Sequence, residues 1–313
     1  MLLNEAIKLF LEAVEARSGR RRTVGSYEQH LRSLQRFAEK HELTDLEAFS
    51  PVTLNSYVVS MRRQGTCWAS HPRRPEKDGH LSEATVAGRI QTVKTFFSWC
   101  VKNRFLDHSP AEHLVKPDVD YSADGKLIDL KDLRKLEKAA KELARAGNPR
   151  DLAIVRLFAD TGCREKEVRT LRLSNLNLDA RTANVEGKRG MRSVEFTKRT
   201  AKAFRAWLAV RPDVEHDFVF VSRSGGRFRK GGIYQVLRRL AETSDVQGLF
   251  GSQAIRHKVG QVWTDETNLE LARKKLGHKD IKTTALFYAH QDRKRVRKAT
   301  RRLGLLRIAR KRA

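Results

Sequence analysis

The sequence predicts a mainly helical protein of two domains, the second carrying a small β-hairpin or sheet. The first observation behind this is composition. Only 7 of the 313 residues are proline, and Ala, Leu, Lys, Arg and Glu abound, which favours helix. The second is the recurrence of apolar residues every three or four positions along most of the chain. The third is an uneven charge. Residues 1–125 hold 18 basic and 16 acidic side chains, residues 126–290 hold 35 and 20, and residues 291–313 hold 11 and 1. The net charge of +27 therefore belongs to the second half and the tail, which argues for two functional units. The chain is long enough for each unit to bury its own core.

Taken in order, Leu2, Leu3, Ala6, Ile7, Phe10, Ala13 and Val14 predict a first helix. Tyr27, Leu31, Leu34 and Phe37 predict a second, and Val86, Ile90, Val93, Phe96, Phe97 and Val101 a third. Ser82, with Thr85 three residues on, marks the entrance to that last helix, and Asn103 with Ser109-Pro110 its end. Residues 1–117 thus read as a helical bundle, interrupted by a polar loop over Gly65–His80. The polar run 118–127 is the expected linker. Helical spacing resumes at Leu127–Leu143 and Asp151–Phe158. Thr182–Val185 and Ser193–Phe196 instead alternate with β-branched residues around Gly187-Lys188-Arg189-Gly190, a hairpin signal with a turn longer than the ideal two residues. Leu208, Tyr234–Leu240, Ala254–Val262 and Leu269–Leu276 return to the helical period.

A basic surplus of this size asks for a polyanionic partner, nucleic acid or an acidic membrane surface. The longest apolar runs fall far short of a membrane span. Met1–Val14 carries Glu5 and Glu12 and does not read as a signal peptide. Cys67, Cys100 and Cys163 form no CxxC pair, so a reducing interior is expected and no zinc knuckle. Cys67, His71 and His80 lack a fourth ligand and tight spacing, so no metal site and no cofactor are expected. The expected setting is cytoplasmic and nucleoid-associated.

Thr161-Gly162-Cys163-Arg164-Glu165-Lys166-Glu167-Val168-Arg169-Thr170-Leu171 resembles the first signature box of the tyrosine recombinase (phage integrase) family, Thr-Gly-x-Arg-x-x-Glu-x-x-x-Leu, at every fixed position. Lys188 follows in the hairpin turn, where that family keeps its catalytic lysine. Ala254-Ile255-Arg256-His257 resembles the second arginine box, Leu276-Gly277-His278 the Leu-Gly-His element, and Thr283–His290 the nucleophile segment. The motifs span about Leu130 to His290. The resemblance implies a catalytic domain over 128–290, preceded by a helical DNA-clamping domain. It also implies a site-specific recombinase working on double-stranded DNA sites, with four protomers in a synapse and a four-way junction between strand exchanges.

The residue chemistry agrees with this resemblance. Phosphodiester cleavage concentrates negative charge on the non-bridging oxygens, and two guanidiniums clamp such oxygens with charge-assisted bonds. The expected cradle is Arg164 with Arg256. Lys188 is expected to protonate the leaving 5′ oxygen, although Arg189 and Arg192 lie nearby in sequence. His278 is expected to hydrogen-bond the phosphate, and Tyr288 to attack and form a 3′-phosphotyrosine. Tyr288 stands ten residues after His278, where many members have nine; the ninth here is Phe287, which has no nucleophile.

One position departs from the family pattern: Gln253 stands where a histidine usually precedes the second arginine by three. Glutamine donates a hydrogen bond but shuttles no proton near neutral pH. Either the reaction runs without that helper or His257, one helical turn on, substitutes; the alternative for His257 is packing. The loop Ser224–Gly232 offers Arg229 and Lys230 to a phosphate backbone, or is simply solvated. In the first half Lys94, Arg89 and Arg104 are the candidate DNA contacts. The tail 291–313 reads either as a basic DNA-binding arm or as a helix docking on a neighbouring protomer. Two rival functions share parts of this pattern: a type IB-like topoisomerase and a non-catalytic DNA-binding accessory protein.

Overall fold

A computed structural model of the chain describes residues 1–67, 77–119, 128–187, 190–246 and 251–288. The chain divides into two compact units, Met1–Asp120 and Tyr121–Ala313. The linker, most of the 65–80 loop (with His71), Lys188 and the basic tail fall wholly or largely outside the described residues.

The first unit contains α1 (Leu3–Ser18), α2 (Arg21–Lys40), α3 (Pro51–Arg63) and α4 (Glu83–Lys102). The stripes read from sequence are its buried faces: Leu3, Ile7, Phe10 and Val14 from α1, Leu31, Leu34 and Phe37 from α2, and Ile90, Val93, Phe96 and Phe97 from α4. Phe10 sits at the centre and meets Tyr27, Phe96 and Trp99 edge-on, with centroids 5.3–5.5 Å apart, the arrangement aromatic quadrupoles favour. The Ser82 hydroxyl accepts from the Thr85 N–H and opens α4, and Asn103 closes it. The sequence analysis did not anticipate α3. Its buried stripe is only Leu54, Tyr57 and Met61, and the exposed Val52 and Val59 blur the period. Ser50 caps it reciprocally with Thr53, and Pro51 occupies the first turn. The 65–80 segment holds a short antiparallel pair, β1 (Thr66–Cys67) with β2 (Lys77–Asp78).

The second unit opens with α5 (Leu130–Arg145) and α6 (Arg150–Thr161), followed by the short α7 (Glu165–Arg169). A three-stranded antiparallel sheet follows, β3 (Leu176–Asn177), β4 (Thr182–Gly187) and β5 (Gly190–Glu195), in the order β3-β4-β5. The β4–β5 ladder runs to the pair Gly187 and Gly190, so only Lys188 and Arg189 join the strands. The connection is shorter than the sequence pattern suggested, because both glycines belong to the ladder. The remaining helices are α8 (Lys198–Val210), α9 (Gly232–Thr243), α10 (Ser252–Glu266), α11 (Leu269–Leu276) and α12 (Ile281–Tyr288). The apolar faces of α8 to α11, with α5, α6 and the sheet, share one core around Phe158, Phe204, Phe220, Leu237 and Ile255.

Candidate active site

The site in the second unit is built where two chain reversals meet. Helix α6 ends at Gly162 (φ +59°) and α11 at Gly277 (φ +65°), both in the left-handed region that suits glycine. A Cβ at Gly162 would lie 2.8 Å from Leu276 Cδ2, and one at Gly277 would lie 2.7 Å from Arg192 Cδ. Both turns are therefore closed against neighbouring elements. The Thr-Gly and Leu-Gly pairs of the sequence are these two helix ends.

Arg256, on α10, is 3% exposed and bridges the two reversals. Its Nη1 donates to the Gly162 carbonyl at 2.6 Å and its Nη2 to the Leu276 carbonyl at 2.7 Å. Orphan carbonyls at helix ends accept well from a cation, so the guanidinium plane is fixed before any substrate arrives.

Arg164 is half-buried at the entrance to α7 and is held by Glu167. That carboxylate, 1% exposed, accepts from the Arg164 backbone N–H at 2.8 Å and from Arg164 Nη1 at 3.0 Å. It also accepts from Arg192 Nη2 at 2.8 Å and Nε at 3.3 Å. Burial by itself would raise the Glu167 carboxyl, but the hydrogen bonds and charge of Arg192, with the N–H and charge of Arg164, hold it below the usual range. Arg192 also donates to the Lys275 carbonyl at 3.3 Å. Its donors therefore tie β5 to α7 and α11, a framework role unlike the one expected of Lys188. Cys163, between the two reversals, is buried, and its thiol is pushed up to about 11, chiefly by burial.

His278 follows Gly277 and lines an open cleft with Arg164, Glu167, Arg192 and Lys279. Its Nδ1 lies 3.0 Å from Thr284 Oγ1 on α12. Burial, then the charges of Arg256, Arg164, His257 and Arg192, push its imidazole down to about 4. It is neutral at physiological pH. His257, half-buried on α10, is lowered by burial and then by Arg256. Gln253 is exposed one turn earlier on the same helix. Tyr288 is the last residue of α12; its side chain, like Lys188, lies outside the described residues. Among the predicted site residues, Arg164, Arg256, His257 and His278 therefore share one electrostatic neighbourhood.

The basic loop before α9 is a defined turn. Val221 pairs with Arg227, the Ser222 N–H donates to the Gly226 carbonyl at 2.8 Å, and Phe228 is buried beneath the Arg150 guanidinium. Arg150 is itself anchored by the buried Asp151 and by the Val221 carbonyl. Arg223, Arg227, Arg229 and Lys230 are exposed. In the first unit, Lys94 donates to the Glu112 and Leu114 carbonyls at 2.7 and 2.9 Å, so two of its three donors hold the chain after α4.

Sequence reasoning missed a cationic groove in the first unit. It is lined by Arg32, Arg36, Lys40, Arg63 and Arg89 above Ser33 and the buried Tyr57. Arg36, Lys40 and Arg63 form no ion pair among the described residues. The signal was present: Arg32, Arg36 and Lys40 recur every fourth residue, one stripe of α2. Sequence reasoning also passed over Glu167, Thr284 and Arg273 as holders of the site.

Among the described residues no helix is long and apolar enough to cross a membrane. Residues 126–295 match the Phage integrase family, and residues 7–104 match the Phage integrase, N-terminal SAM-like domain. The chain is 30% identical over 226 residues to the tyrosine recombinase XerC of Corynebacterium glutamicum, covering 71% of this chain and 72% of that one. It is 26% identical over 276 residues to XerC of Chlamydia trachomatis serovar L2 (strain ATCC VR-902B / DSM 19102 / 434/Bu), covering 85% and 86%. The fold resembles the Tn1549 transposon integrase in complex with transposon right end DNA, with TM-score 0.76 and 16% identity over 97% of this chain and 100% of that one. It also resembles a lambda integrase dimer bound to a COC' core site, with TM-score 0.69 and 11% identity over 90% and 97%. The chain belongs to the tyrosine recombinase (phage integrase) family and is a recombinase that breaks and rejoins DNA.

Proposed function

We propose that Arg164 and Arg256 cradle the scissile phosphate with His278, that Lys188 protonates the leaving 5′ oxygen, and that Tyr288 is the nucleophile. The Tyr288 oxygen bonds to phosphorus as the phosphorus–O5′ bond breaks, leaving a 3′-phosphotyrosine. Attack by a 5′ hydroxyl reverses the step without an external energy source. The observation that supports this best is the fixing of two guanidiniums whose charges both act on His278. Arg256 is held by two backbone carbonyls and Arg164 by a buried carboxylate. Such preorganised charge costs no reorganisation as the phosphorane develops. A phenol of ordinary pKa near 10 also needs a cationic surround to ionise at neutral pH.

The partner is double-stranded DNA. The groove of the first unit and the exposed turn with Arg229 and Lys230 hold its backbone, contacts that position the duplex and carry no sequence information. The residues 1–117 act as the clamp, 128–290 as the catalytic domain, and the tail 291–313 docks on a neighbouring protomer. Four protomers assemble on two sites, and strands exchange through a four-way junction in the cytoplasm, on the nucleoid. Gln253 donates a hydrogen bond where relatives have histidine, with His257 beside it.

Recovery and sequencing of DNA covalently attached to the protein tests the reaction and identifies the site together. The Tyr288→Phe variant is expected to bind DNA almost normally and form no adduct, since it loses one hydroxyl and no charge. An adduct in that variant would move the nucleophile to another tyrosine. Junction formation on the recovered site separates a recombinase from a topoisomerase, and absence of any adduct would favour the accessory-protein reading.

A further inference from the structure

His278 is held from both ends, and each hold selects something about the ring. The backbone end is fixed by Arg273, whose Nε and Nη2 each reach the Glu270 carboxylate at 2.7 Å. Its Nη1 donates to the His278 carbonyl at 2.8 Å, and the His278 N–H returns to the Arg273 carbonyl at 3.0 Å. The ring end is fixed by Thr284, whose side chain is fully buried.

Thr284 differs from six other threonines that lie in helices or end them. Thr92, Thr95, Thr161, Thr170, Thr243 and Thr264 each donate the hydroxyl proton to the carbonyl four residues back, the usual outlet for a threonine in or ending a helix. Thr284 makes no such bond to Asp280, and its only hydrogen bond among the described residues is to His278 Nδ1. Among the described residues, the one acceptor within reach of its proton is the imidazole nitrogen.

We propose that Thr284 is a positioning residue that donates its hydroxyl to His278 Nδ1 and so holds the neutral imidazole as the Nε2–H tautomer. A neutral histidine carries one donor and one acceptor, and the bond made by one nitrogen decides the role of the other. With Nδ1 accepting, Nε2 offers a proton to a phosphate oxygen as negative charge grows there. With Nδ1 protonated, Nε2 would turn a lone pair towards the same oxygen and repel it. Burial, then the guanidiniums of Arg256, Arg164 and Arg192, keep the ring neutral, so the tautomer and not the charge state makes it a donor.

This inference rests on the reading of His278 as a phosphate contact, and the test separates the two. In full-length 15N-labelled protein at pH 7, with the His278 signals assigned by their loss in His278→Ala, the ring nitrogens are expected to show the Nε2–H pattern. A predominant Nδ1–H pattern overturns the proposal without any Thr284 variant, and so stands even if Thr284→Val fails to fold. With a nicked duplex carrying the site recovered by covalent trapping, Thr284→Val should cleave 10- to 100-fold more slowly at unchanged binding, and Thr284→Ser should recover most of the loss. If His278→Ala is slow and Thr284→Val is as fast as the parent, the proposal alone is overturned. If His278→Ala cleaves normally, the phosphate contact itself is wrong and the proposal falls with it.

Discussion

The two units each present a cationic concavity, and they hold their charges in opposite ways. In the first, Arg36, Lys40 and Arg63 are exposed and carry no carboxylate among the described residues. In the second, Arg256 is buried against two helix ends, and Arg164 is tied to Glu167, which is buried. Long, solvated side chains follow a phosphate backbone wherever it runs, which suits binding. A guanidinium that must meet one phosphorus atom as its charge changes needs its orientation settled in advance. On the proposed reading, the exposed cations attract DNA and the anchored ones meet the scissile phosphate.

The largest effect that would break this contrast is at the anchored arginines. Arg256→Ala or Arg164→Ala is expected to slow cleavage by roughly 10²–10³-fold, the cost of one lost charge-stabilising donor in other enzymes. Affinity should fall only modestly, because many other cations share the phosphate contacts. Near-normal single-turnover cleavage by either variant would place the cradle elsewhere.

Glu167→Gln tests the anchoring itself. It leaves Arg192 without its counter-charge and weakens charge-assisted bonds worth about 1.5–3 kcal/mol. Because the folded-state carboxyl lies below its ordinary value of 4.5, its contribution is fully present above pH 4.5 and is lost as pH falls through the lowered value. Urea denaturation should show the parent well above the variant at pH 6 and the gap narrowing in acid. A gap that is constant with pH would mean that the charge of Glu167 stabilises nothing.

Arg36→Gln with Arg63→Gln sharpens the other side of the comparison. Each lost phosphate contact should make the salt dependence of DNA binding shallower by about 0.9 in log–log slope, while cleavage of bound DNA stays unchanged. A cleavage defect at saturating protein would show that the groove does more than attract.

Lys94→Gln is expected to do least to DNA. Its ammonium is occupied by the Glu112 and Leu114 carbonyls, so affinity and salt slope should hold while the melting temperature falls slightly. A slope change as large as that of Arg36→Gln would return Lys94 to the DNA-facing set.

Much of this was legible because the signals are local. The stripes of α1, α2 and α4 announce their own buried faces, and the hairpin announces itself by alternation on either side of two glycines. The short α7 and α12 were not anticipated as helices, although the motifs on them were. The five residues of α7 are too few for a periodic stripe to emerge, and in α12 the apolar residues Ala285, Leu286 and Phe287 are consecutive and mark no single face. The groove of the first unit was overlooked because a net charge close to neutral averages away a one-sided stripe of arginines.

The sequence by itself determined the reaction class, since the boxes carry their chemistry in residue type and order, and it determined the two-unit, mainly helical plan. Only the tertiary structure decided which basic residues are tools and which are framework. Arg192 and Arg164 are both arginines beside the same hairpin and box. Both line the cleft, but Arg192 spends its donors joining β5 to α7 and α11, whereas Arg164 gives one guanidinium nitrogen to Glu167 among the described residues. The tertiary structure likewise gave Thr284 the ring of His278 in place of its own helix carbonyl. The physical reason is that a donor's role depends on which acceptors the fold brings within about 3 Å, and those acceptors sit on other elements of the chain.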